Sequence, residues 1–141
     1  MQDRRTFLGL AAAAALLPID LDAQTPAATP RPSTELARHA LTGPFEGFEV
    51  VLVELNNPPR KPGSESGPAH RHPGPVLGYV TQGQMRFGIN HQPEQVVPTG
   101  GTFFEPTGAI HSSAGSASPD ASARAVVFMI VPKGAPLTAP A

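Results

Sequence analysis

The chain has 141 residues, 40% of them hydrophobic, and a formal net charge of -1 from 10 Lys/Arg and 11 Asp/Glu. That length supports one domain with its own core but not two; the net charge and the lack of a Lys/Arg stripe to neutralise phosphates argue against nucleic acid as a partner. The absence of cysteine excludes disulfides, thiolate metal sites and a Cys nucleophile, leaving His, carboxylate or water to hold any metal.

The N-terminus reads as an export signal over residues 1–23. Arg4-Arg5 stand directly before Thr6-Phe7-Leu8, and an apolar run from Phe7 to Leu17 follows. The run is shorter than the ~20 residues a transmembrane span needs and suits the apolar core of a cleaved signal. Cleavage after Ala23 would leave no stable membrane insertion and a periplasmic or secreted protein. An uncleaved anchor or a plain tail are the alternatives, and the paired arginines favour twin-arginine export, which carries folded proteins. Residues 24–37 form a Pro/Thr/Ala-rich linker, most evident in Gln24–Ser33. Thr34–Leu41 has the residues for one short helical turn, with Ser33 or Thr34 as cap. His39 lies in that turn and reads as a surface residue.

The domain proper spans 38–134. Eighteen prolines and fourteen glycines, with few Glu/Lys-rich amphipathic runs, point to short strands and turns. Phe48–Leu55 is a β-branched, apolar strand bounded by Gly47 and Asn56-Asn57-Pro58-Pro59. Residues 56–67 make a long polar loop at one mouth of the domain. Val76–Thr81 and Gln84–Asn90 are strands joined at Gln82-Gly83, the second with Met85, Phe87 and Ile89 on one face and Arg86 on the other. After a turn carrying His91 come short strands at Gln95–Val97, Thr102–Glu105 and Ala109–Ser113. A small-residue loop, Ala114–Ser122, precedes Ala125–Val131, which is apolar on both faces. Residues 135–141 read as a frayed tail. Tyr79, Phe87, Phe103, Phe104 and Phe128 read as core, and Gly78 as a place of close backbone approach, a subunit interface being one candidate. Seven or eight short strands without a firm helix make the fold all-β, a small barrel or sandwich.

Two stretches carry chemistry. In Gly67–Gly83, His70 and His72 are two apart, so on an extended chain their rings share one face, and Arg71 points away as a surface residue. Neutral imidazole is the commonest ligand for divalent first-row metals. In Gly100–His111, a third histidine follows a Gly- and Pro-marked turn. Glu105 shares a face with Phe103; a carboxylate among aromatics is costly unless paired or coordinated. It is therefore either a fourth ligand and base or turned outward to a rim. Gln82 is a weaker candidate. Nothing resembles a G-x-S-x-G elbow or a phosphate-cradling loop, and Ser112 and Ser113 beside His111 do not make a nucleophile.

Together the two stretches resemble the cupins, jelly-roll barrels (the double-stranded β-helix) that hold one metal ion between two motifs. His70, His72 and Gly83 match the first motif, and Gly100, Pro106, Gly108 and His111 match the second at its full spacing. The opening glycine does not fit, since Gly63 and Gly67 stand at the wrong distance. Val76 replaces the family's usual glutamate ligand, and Gly115 its usual asparagine. The resemblance implies a divalent first-row ion (Fe, Mn, Ni, Cu or Zn) on His70, His72 and His111, with Glu105 or water completing the shell. Two functions follow: a dioxygenase-type oxidoreductase acting on a small organic substrate, with Glu105 as base, or a non-catalytic module binding a metal or small ligand. A metal-dependent isomerase or lyase is not separable from the first. Cupins often dimerise through strand exchange, and the doubly apolar strand Ala125–Val131 would suit such packing, so the resemblance makes a homodimer one candidate assembly.

Overall fold

A computed structural model gives the architecture, and the residues it describes are 32–60 and 68–141. The signal stretch 1–23, most of the linker, and Gly63 and Gly67 lie outside them. Ten strands among the described residues form two antiparallel five-stranded sheets. The first sheet contains β1 (Ser33–Ala40), β2 (Phe48–Asn57), β4 (Val76–Gln82), β7 (Thr102–Glu105) and β9 (Ala123–Pro132), in the order β1-β2-β9-β4-β7. The second contains β3 (His70–Arg71), β5 (Gln84–Ile89), β6 (Gln95–Pro98), β8 (Ile110–Ser116) and β10 (Ala139–Pro140), in the order β10-β3-β8-β5-β6. This is the expected all-β jelly-roll.

Alternation builds the core. Along β9, Ala123, Ala125, Val127, Met129 and Val131 are buried while the residues between them face out, because successive strand side chains point to opposite faces. Val51 and Val53 of β2 and Val76 and Val80 of β4 join them from the same sheet. The second sheet closes the core with Met85, Phe87 and Val97. Phe87 of β5 and Phe103 of β7 meet between the sheets with ring centroids 4.8 Å apart, a tilted contact that such pairs favour.

The structure corrects the sequence reading at several places. The helical turn at Thr34–Leu41 is instead strand β1, paired with β2 from Ser33↔Leu55 to Ala40↔Glu49. Glu, Leu and Ala favour helix intrinsically, but tertiary pairing routinely overrides propensity, and here the edge ladder draws residues 33–37 of the linker into the sheet. Residues 135–141 are not frayed: β10 pairs with β3, and Leu137 packs against the core. β8 runs to Ser116, taking the first residues of the loop expected at Ala114–Ser122. Tyr79, Phe104 and Phe128 are not core; they stand on the outer face of the first sheet at about half exposure, because the doubly apolar strands bury one face only. Gly78 does lie under a close neighbour, but that neighbour is the Phe103 ring of the same barrel: a Cβ there would come within 2.1 Å of Phe103 Cζ.

Gly78→Ala is therefore expected to destabilise the fold by about 1–3 kcal/mol, the usual range for overpacking a filled core. Urea denaturation would measure it, with the double variant Gly78→Ala/Phe103→Leu recovering part of the loss. An unchanged midpoint in the single variant would contradict the packing described.

Candidate metal centre

The three histidines meet because β3 and β8 are neighbours. His70 lies directly across the ladder from His111, and Arg71 across from Ile110. Ring centroids are 5.0 Å apart for His70 and His72, 5.1 Å for His70 and His111, and 6.3 Å for His72 and His111. The turn leading into β8 is stitched to β3 from both sides. Gly108 N–H donates to the His72 carbonyl at 3.1 Å, and Arg71 Nη1 donates to the Gly108 carbonyl at 2.6 Å. Gly108 has φ +73°, a left-handed conformation that costs glycine nothing. Arg71 thus points away from the histidines, as alternation requires, but it is a tether for the turn rather than a plain surface residue.

The rings are oriented by what holds their Nδ1 atoms. His70 Nδ1 lies 3.1 Å from the Pro68 carbonyl, and His72 Nδ1 lies 2.7 Å from the Leu137 carbonyl. A carbonyl oxygen can only accept, so both Nδ1 atoms carry the proton and both Nε2 atoms keep a free lone pair. His111 Nδ1 faces Glu105 Oε1 at 3.4 Å, and its Nε2 is buried without a hydrogen-bond partner. One ring nitrogen from each histidine lies within 4.8 Å of the others. Nitrogens each about 2.1 Å from a common ion span at most about 4.2 Å, so sub-ångström side-chain shifts bring all three onto one cation. The orphaned Nε2 and the fixed tautomers fit a metal: this is how ligating imidazoles are oriented by a second hydrogen bond.

Electrostatics agree with the geometry. Burial first, then the neighbouring His70 and His72, push the His111 pKa down to about 4, against a backbone hydrogen bond to Ser113. Burial also lowers His72, against its bond to Leu137. Both rings are therefore neutral at pH 7, the protonation state that a metal requires.

Glu105 faces inward, at 2% exposure. Its Oε2 lies 3.7 Å from His72 Nε2 and has no hydrogen-bond partner. It stands directly across the β4–β7 ladder from Val76, which places a carboxylate beside the position where the resemblance expects one. Burial raises its pKa to about 7. The other candidates fall away. Gln82 is exposed, as are His39 and His91, while Ser112 and Ser113 bond to the Gly88 carbonyl and to Glu94. What the sequence reading missed is the Nδ1 acceptors; the one signal for Leu137 was a lone leucine in a tail rich in proline and alanine.

The pKa of Glu105 sets a pH dependence. In the metal-free protein, folded Glu105 keeps its proton between pH 4.5 and 7 while the unfolded chain loses it, so this group lowers stability as pH rises through that window. His111 acts oppositely: the folded ring sheds its proton near pH 4 and the unfolded one near 6.5, so stability rises between them. Glu105→Gln is thus expected to gain on the order of 1–3 kcal/mol relative to the native chain on going from pH 4.5 to pH 7.5. Urea melts with chelator at both pH values measure this, and an equal difference at the two would contradict it.

Among solved structures, a cupin-like protein from Thermotoga maritima is 23% identical, with 69% of this chain and 65% of that chain covered and a TM-score of 0.49. A chain from the structures of the DMSP lyases RdDddP and RnDddQII is 19% identical over 77% of this chain and 51% of that one, with a TM-score of 0.50. Oxalate oxidase in complex with the substrate analogue glycolate is 27% identical over 59% and 41%, with a TM-score of 0.44. This chain spans less than two thirds of the length of each, and the likeness is one of fold. No curated protein matches it. The family model for the cupin domain matches residues 60–134, from the loop before the first two histidines to the turn after β9. That is more than half of the chain, and the protein belongs to the cupins.

Proposed function

We propose that this cupin holds one divalent first-row metal ion through His70, His72 and His111 and acts on a small organic anion as a dioxygenase-type oxidoreductase, with Glu105 as its base. The observation that most supports this reading is the gathering of three imidazoles beside a buried carboxylate whose Oε2 has no partner. A bound ion supplies Lewis acidity toward an oxygen donor and, if redox active, electrons for O2. Three neutral imidazoles leave its two charges uncompensated, which draws an anionic ligand to the site. Glu105, buried with its Oε2 3.7 Å from His72 Nε2, is placed to take a proton from that ligand. Phe87, its ring 5.5 Å from His111, keeps one flank of the site apolar.

A second reading has one observation in its favour. Glu105 Oε2 lies close enough to His72 Nε2 to become a fourth ligand, and a closed shell suits a non-catalytic binding module. Protein purified without chelators decides between the two. The first reading predicts near-stoichiometric metal, lost in His70→Ala/His72→Ala and retained in Glu105→Gln, whose O2 consumption with catechol-like substrates falls by about 10²-fold or more. Metal lost from Glu105→Gln, with no O2 uptake by the native protein, favours the binding module. Metal-free protein that stays so after reconstitution defeats both.

Twin-arginine export is proposed from Arg4-Arg5 ahead of the Phe7–Leu17 run. Among the described residues, no helix is long and apolar enough to cross a membrane. A homodimer through the outer face of the first sheet is proposed as well. Leu77, Tyr79, Phe104, Phe128 and Ile130 are each 40–54% exposed there, and Leu52, Phe128, Leu77 and Phe104 stand side by side across four strands. An uncharged patch of that kind suits a symmetric, self-complementary contact. Light scattering is expected to find a dimer that Phe128→Lys dissociates; a monomeric native protein would contradict it.

A further inference from the structure

The second sheet ends, beyond β3, in a strand made by the last residues of the chain. β10 pairs with β3 at Ala139↔Arg71 and Pro140↔His70, and Ala141 N–H donates to the Ala69 carbonyl at 3.3 Å. Just before β10, Leu137 packs its side chain against the buried core cluster. Its carbonyl accepts from His72 Nδ1 at 2.7 Å across 65 residues of sequence. His72 thus depends on a distant segment for its ring orientation, whereas His70 is held by its own neighbour, Pro68.

We propose that residues 135–141 are a positioning strap for the metal site, with Leu137 as its anchor: the side chain fixes the segment to the core so that its carbonyl holds the His72 proton on Nδ1 and turns Nε2 inward. This rests on the metal-binding reading above. A histidine without such an acceptor samples both tautomers and several ring rotations. A metal must then select the one competent state, and apparent affinity falls by the fraction populated. Removing an outer hydrogen-bond partner from a ligating histidine weakens metal binding by about 10–100-fold. β10 adds to the effect by closing the edge that β3, a strand of only two residues, presents opposite β8.

The test compares the full chain with Leu137→Ala, with the conservative Leu137→Met, and with a chain ending at Gly134. Two measurements are made on each. The first is the His72 tautomer in the metal-free protein, read from ring 15N shifts and their couplings to the ring protons. The second is Zn(II) affinity by competition with a chromophoric chelator. The expected native result is a protonated Nδ1 and a bare Nε2 at His72. Leu137→Ala and the shortened chain should give a tautomer mixture and bind Zn(II) about 10–100-fold more weakly, while Leu137→Met stays within about threefold of the native chain. His70 serves as the internal control, since its acceptor is untouched and its tautomer should hold in every variant. If the shortened chain does not fold, the two point variants carry the test.

A native tautomer and native affinity in Leu137→Ala would overturn the strap. So would loss of affinity with the His72 tautomer unchanged, which would mean that Leu137 acts only by general packing. If the native protein binds no Zn(II), the metal reading itself fails, while the tautomer of the metal-free protein still reports separately on the hydrogen bond.

Discussion

The site depends on how its three imidazole rings are oriented. An imidazole ligates through one nitrogen, and the hydrogen bond made by the other decides which. Here His70 and His72 each give an Nδ1 proton to a backbone carbonyl, and His111 turns Nδ1 toward Glu105 while its Nε2 is left buried without a partner. A buried polar atom without a partner is costly, and in a native structure it calls for an explanation. A cation shared among the three rings supplies one. The fold serves this arrangement: β8, β10 and the β7–β8 turn all bind to the two-residue strand β3 and fix its place.

The barrel stabilises the site by enclosing it. Val, Met and Phe side chains from both sheets fill the interior, and each fully buried one contributes about 1.5–3 kcal/mol. The same burial sets the chemistry. It pushes His111 down to about 4 and Glu105 up to about 7, favouring the neutral form of each. A dication reverses the preference at Glu105, because a nearby positive charge favours the carboxylate. Stability without metal and affinity for it are thus opposed at this residue, as stability and function often are.

Much of this was legible in the sequence, for reasons that can be named. Strand alternation placed His70 and His72 on one face, and the spacing from Gly100 to His111 reproduced a turn whose geometry only certain residues allow. Glu105 was legible as inward or outward, since Phe103 shares its face; the structure turns both inward. What could not be read were the contacts between distant segments. The ladder between β1 and β2 overrode a helical preference at Thr34–Leu41, and a tail rich in proline and alanine proved to be anchored by one leucine. The aromatic residues misled because hydrophobicity marks a side chain as costly to expose without saying which face of its strand is covered. Tyr79, Phe104 and Phe128 lie outside the barrel, while Phe87 and Phe103 lie within it.

The metal reading requires that the three imidazoles of one barrel share one ion. Anomalous diffraction from crystals grown with Zn(II) or Ni(II), collected on both sides of the metal edge, tests it most directly. One strong peak per chain is expected, bound by Nε2 of His70, His72 and His111. A peak bound through Nδ1, a peak elsewhere on the surface, or no peak at saturating metal would contradict it.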